Sequence, residues 1–125
     1  AWHRVLEQWG AAQLQTRFSK LSDRWMNDED YAAWAAVRSV AEAVTRKKTA
    51  DVKTVSEYIR SEDFELAAFK GRKLSFRTWN GQLRQPIPLI HPRSVVSLSP
   101  QEGFLHRVNE LDTLGFDQPE TRCSK

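Results

Sequence analysis

Apolar and polar positions alternate with two different periods along this chain, and the change of period divides it into parts. Over residues 1–66 the spacing is helical. Leu6, Trp9, Leu14, Phe18 and Leu21 recur at intervals near three and four and predict an amphipathic helix over much of 2–21. Gly10 weakens its middle, so the helix is expected to start after Trp9 with 1–7 extended. A second helix is predicted over 27–48. Asn27 suits its N-cap, and Asp28, Glu29 and Asp30 fill the first turn. Arg46, Lys47 and Lys48 fill the last, matching both ends of the helix dipole. Trp34, Val37, Ala41 and Val44 form the expected buried stripe, widened by Ala33, Ala36 and Val40. A third helix, capped by Thr49, is predicted over 50–60 with Val52, Val55 and Ile59 inward, and Ser61 starts a short turn of helix through Phe64 and Leu66.

Over 67–99 the period changes to two. Asn80-Gly81 lies between two alternating runs, and this dipeptide is the strongest short hairpin signal because a type I′ turn needs two positive φ angles. With Trp79 opposite Gln82, one face holds Leu74, Phe76, Leu83, Ile87 and Leu89. The other holds Ser75, Arg77, Trp79, Gln82, Arg84, Pro86 and Pro88 and is expected to be solvated. The prolines predict an edge or irregular second strand, and SVVSLS predicts a third strand. Over 100–125 a helix is expected at 101–114, with Phe104, Leu105, Val108, Leu111 and Leu114 on its apolar face and Gly115 closing it, followed by an irregular tail. The whole chain reads as one unit of α/β class, α+β in this stretch: helices, then an antiparallel hairpin and a further strand.

Composition changes this picture little. The 125 residues suit one core, and no apolar run approaches the ~20 residues of a membrane span. The chain starts at Ala1 without a signal-peptide pattern and reads as a processed product or a piece of something longer. Charge matters more. Residues 66–100 contain no acid but carry Lys70, Arg72, Lys73, Arg77, Arg84 and Arg93. With Trp79, the basic hairpin over 70–93 suggests phosphate contacts and base stacking, the alternative reading of a nucleic-acid-binding module.

Catalytic chemistry finds no support in the pattern. His3, His91 and His106 lack zinc-site spacing, and no phosphate-binding glycine motif occurs. Cys123 is the sole cysteine, so it is either a free thiol or the partner of a cysteine elsewhere. The chain is therefore expected not to be an enzyme and to need no cofactor or metal.

The order of elements in YAAWAAVRSVAEAVTRKKTADVKTVSEYIRSEDFELAAFKGRKLSFRTWNGQLRQPIPLI resembles the C-terminal part of type I periplasmic substrate-binding proteins of the leucine/isoleucine/valine-binding class. Tyr31 through Val44 correspond to the family's alanine-rich helix, Asp51 to Ile59 to the next helix, Gly71 to Phe76 and Pro86 to Ile90 to strands. The tail FLHRVNELDTLGFDQPETRC resembles a branch associated with pyrroloquinoline-quinone-dependent alcohol oxidation. The resemblance implies a solute receptor of an ABC transporter, with two lobes closing on a small-molecule ligand, a membrane permease as partner, no nucleic acid and a periplasmic location. It implies ligand contact from the start of the long helix, at Glu29, Asp30 and Tyr31. This chain is shorter than such a receptor by well over half, so it is expected to be a fragment whose bare apolar faces favour self-association.

Overall fold

The computed structural model describes residues 2–123 and has an α+β architecture: three α-helices precede two small antiparallel sheets. Trp2 and Leu6 are buried in the stretch before the helices. A 3-10 turn at Gln8–Gly10 leads into α1, Ala11–Ser22. Helix α1 starts where the weakness at Gly10 predicts, because Gly10 has a left-handed backbone that ends the preceding turn. Helix α2, Asp28–Lys47, carries the expected Asn27 cap as a full capping box. Helix α3, Val52–Ile59, is capped by the Asp51 carboxylate and not by Thr49, since Asp51 Oδ2 accepts from Thr54 N–H at 2.8 Å. Among the described residues, no helix is long and apolar enough to cross a membrane.

The buried face of α2 differs from the expected stripe. Tyr31, Ala35, Ser39 and Ala43, spaced by four, are buried, and Trp34 and Val44 are half-buried. Val37 is 71% exposed and Val40 is 50% exposed, with Ala33, Ala36 and Ala41 also open. Small residues at 35, 39 and 43 give α2 a flat side, and α2 packs against α3 and the first strand. Close approach has won over hydrophobic content on this helix. On α3, Val55 and Tyr58 are buried, whereas Val52, expected inward, is exposed.

Residues 61–66 turn and then enter a strand instead of forming helix. Strands β1 (Leu66–Ala67), β2 (Lys73–Phe76) and β3 (Leu83–Arg84) form one antiparallel sheet in that order. The β2–β3 register is Ser75 opposite Arg84 and Phe76 opposite Leu83, two residues from that of a two-residue turn. A shift of two keeps the β2 and β3 side chains on their expected faces, whereas Ile87 and Leu89, expected beside Leu74, lie outside this sheet. The loop has four residues, 78–81. Arg77 N–H donates to Gln82 O and Gly81 N–H to Arg77 O, both at 2.8 Å. Gly81 has positive φ and Asn80 does not, so the type I′ turn is not formed.

Pro86 ends the second strand of that hairpin. The chain leaves the first sheet and starts β4, Ile87–His91, which pairs with β5, Ser94–Ser99, as a separate ribbon with a register shift between Leu89 and Ile90. The third predicted strand thus exists, but in a second sheet. The helix expected over 101–114 is absent, replaced by a short 3-10 turn at Glu110–Thr113. Gly103 takes a left-handed backbone, and the Asn109 side chain caps this later turn by accepting from Leu111 N–H. Phe104, Leu105 and Val108 consequently lie exposed, while Leu111 is buried.

The core sits between the helices and the first sheet. Tyr31, Phe64, Leu66 and Leu74 are its largest fully enclosed side chains. Trp2 stacks on Tyr31 with ring centroids 4.4 Å apart, and Tyr31, Trp34 and Phe69 continue the aromatic series at 5.7 and 5.6 Å.

Candidate functional site

The start of α2 positions the three side chains singled out in the sequence, and their surroundings differ. Asp30 N–H donates to Asn27 Oδ1 at 2.9 Å, and Asn27 N–H donates back to Asp30 Oδ2 at 3.0 Å. Arg24 donates to both oxygens of Asp30, at 2.5 and 2.8 Å. The Arg24 bonds, then the Asn27 backbone donor, pull the Asp30 carboxyl down to about 2. Tyr31 lies in the core, where its hydroxyl donates to Ala68 O at 2.8 Å, and burial pushes its pKa far above the usual phenol value. Glu29 is exposed. Asp30 and Tyr31 therefore fill structural posts, and Glu29 is the member of the three open to solvent.

Beside the Tyr31 ring lies a member of the basic segment 70–93. Lys70 is 4% exposed and its ammonium sits 4.7 Å from the Tyr31 ring centroid. It donates to Gln85 Oε1 at 2.7 Å and approaches Pro86 O at 3.4 Å. Burial lowers its pKa to about 8, opposed by the charge of Asp28. Asp28 also accepts a hydrogen bond from Trp2 N–H. A cleft of about 310 Å³ opens beside Lys70, between Trp9, Arg72, Leu98 and Pro100. Gly71 borders it under the Trp9 ring, where a Cβ would come within 2.6 Å of indole carbon.

A larger groove, about 380 Å³, is lined in part by Trp34 and Phe69 of the aromatic series. Leu14, Phe18 and Leu21 of α1 line it together with Met26, Trp34, Ala67 and Phe69. Arg17 and Arg38 are its charged residues, and no acid lines it among the described residues.

The basic hairpin folds inward. Asp112, nearly fully buried, accepts from Arg77 Nε at 2.9 Å and from Arg84 Nε at 2.7 Å on one oxygen, and from Arg84 Nη2 at 2.9 Å on the other. Arg77 also donates to Gln82 Oε1 at 3.0 Å and to the carbonyls of Leu114 and Phe116. Trp79 lies 5.6 Å from the Arg77 guanidinium and 5.1 Å from that of Arg84. Arg72 pairs with Glu110, and Lys73 with Glu65 at 2.5 Å. The solvated face expected for Arg77 and Arg84 is thus corrected: both are enclosed because an acid from the C-terminal segment covers them. Asp112 was missed because its partners stand 35 and 28 positions away. The available signal was an acid-free basic segment followed by a mildly acidic one.

Among the described residues, no group of three or more His, Cys, Asp or Glu could hold a metal. Cys123 is exposed and free, and His106 Nε2 lies 3.1 Å from Asp117 Oδ2. Comparison with protein-family models, curated proteins and solved structures finds no match to this chain.

Proposed function

We propose that this chain is part of a solute-binding receptor of the type I periplasmic, leucine/isoleucine/valine-binding class. In this reading two lobes close over a small molecule in the periplasm and deliver it to the permease of an ABC transporter. Closure draws on the ligand's differential affinity for the closed state. The element order supports it: α2, α3, β2, the 78–81 loop and β3 to β4 follow one another over the residues that carry the resemblance. The observation that carries most weight is the bare apolar surface. Val37 and Val40 on α2, and Leu89 and Val96 on the β4–β5 ribbon, stay open. A receptor with a second lobe has surfaces to cover them. The start of α2 faces the ligand in this reading, with Glu29 as its available charge and Asp30 and Tyr31 fixing the helix end.

The alternative, nucleic-acid binding through 70–93, is less favoured because Lys70, Arg72, Lys73, Arg77 and Arg84 all have partners within the chain. Fluorescence anisotropy with a labelled single strand at low salt tests it: binding that weakens steeply with salt would restore that reading. The receptor reading is tested by the transcript upstream of the Ala1 codon and the intact mass of the native gene product. Repeated βα units and a longer product are expected; a native product of this length would contradict it.

A further inference from the structure

We propose that the groove between α1 and α2 is a binding site for an organic monoanion: a carboxylate carrying an aryl or medium-length alkyl body. The groove shares no lining residue with the Lys70 cleft, and its chemistry follows from its own lining, independently of the receptor reading.

Three observations carry the assignment. The first is shape: about 380 Å³ is within the range of sites that take small organic molecules. The second is the apolar lining. Phe18, Trp34 and Phe69 supply flat surfaces for a ring or chain, and the unbranched Met26 can adjust to either.

The third is charge. Arg17 and Arg38 flank this apolar surface, and no carboxylate lines the groove among the described residues. Among the described residues, Arg38 has only Glu42 within ion-pair range, at 4.0 Å, while Glu42 holds Arg46 at 2.6 Å. The neighbouring Arg24, over the Phe18 ring at 5.0 Å, is committed to Asp30. Two guanidiniums beside an acid-free apolar groove favour an anion with an apolar tail over a neutral or cationic ligand of the same shape. Planar guanidinium also matches the carboxylate fork, which an ammonium does not. Both arginines are exposed, so the anion keeps part of its hydration and affinity rests jointly on the tail and the charge.

The test is isothermal titration of the whole chain with octanoate and 4-phenylbutyrate, beside octanol and octylamine. Saturable binding of the acids is expected at about millimolar concentration, given the small number of ligand atoms. The alcohol should bind several-fold more weakly and the amine not at all. Arg17→Gln and Arg38→Gln should each weaken the acids several-fold and leave the alcohol unchanged. Lys53→Gln, the same loss of charge on an exposed residue of α3, should change nothing. Circular dichroism checks that each variant is folded. Equal binding of acid and alcohol, equal losses in Lys53→Gln, or no saturable binding of either acid by about 10 mM would each overturn the assignment.

Discussion

The first two-thirds of the chain and the last third are held together by different physics. Helices α1 to α3 and the β1–β2–β3 sheet enclose Tyr31, Phe64, Leu66 and Leu74 completely. Beyond Pro86, Leu111 is the buried hydrophobic side chain among the described residues, while Leu89, Val96, Phe104, Val108 and Phe116 stand open. What fixes the later segment is mainly polar: Asp112, clasped by two arginines of the first sheet, and Glu110, paired with Arg72. The lesson is that a packed core and a charge clasp can hold neighbouring segments of one chain with unequal cooperativity. The core resists local opening because its contacts are lost together; the clasp can open while the core remains.

The largest effect should come from the core. Phe64→Ala should cost about 3–5 kcal/mol in urea unfolding, as for other deleted core aromatics. Leu89→Ser, on the open ribbon, should change stability by no more than about 0.5 kcal/mol, as is usual for exposed positions.

Next is Lys70, whose pKa falls from 10.5 unfolded to about 8 folded. The unfolded chain binds more protons across that interval, so stability should rise with pH. The rise should be roughly 2 kcal/mol between pH 8 and 10. Above about pH 10 the raised pKa of Tyr31 acts in the opposite sense, since the unfolded phenol ionises first. Lys70→Met should flatten the rise in pH-dependent denaturation.

Asp112→Asn comes third. Breaking an enclosed ion pair can cost 3–5 kcal/mol, but here residues 110–116 can lift and let both guanidiniums reach water. The global loss should therefore be about 1–2 kcal/mol. Tryptic cleavage after Arg107 should accelerate well beyond what that loss implies.

Asn27→Ala should cost about 1 kcal/mol, the usual worth of a side-chain cap, read by thermal unfolding. Smallest is the acid response of the Arg24–Asp30 pair. Its stabilisation is present above the ordinary carboxyl pKa of 3.8 and is lost as pH falls towards 2. Asp30→Asn should remove that part of the acid titration.

Features fixed by neighbouring residues were readable in the sequence. The Asn27 capping box, the acidic first turn and basic last turn of α2, and the late start of α1 depend on residues a few positions apart. Features decided by distant partners were not. The buried face of α2 was chosen by what packs against Ala35, Ser39 and Ala43, so the more apolar Val37 and Val40 lost. Phe104, Val108 and Leu111 have helical spacing, but Leu111 is the one of the three that meets a burying surface, and a short turn capped by Asn109 replaces the helix. In the hairpin, the Arg77–Gln82 hydrogen bond sets a four-residue loop that a two-residue turn signal could not foresee. Of the α2-start residues, Asp30 and Tyr31 have roles set by Arg24 and Ala68; only the first partner lies nearby in sequence. The groove was not legible because Arg17 and Arg38 belong to separate helices and come to line one cavity only through the fold.

The most direct test of the two-part account is native-state hydrogen exchange on the whole chain, with and without Asp112→Asn. Amides of α2, α3 and β2 should exchange only through global unfolding, and those of β4, β5 and 110–113 through local opening of much lower free energy. The substitution should lower the 110–113 value far more than that of the core. Equal protection in both regions, falling together in the variant, would contradict it.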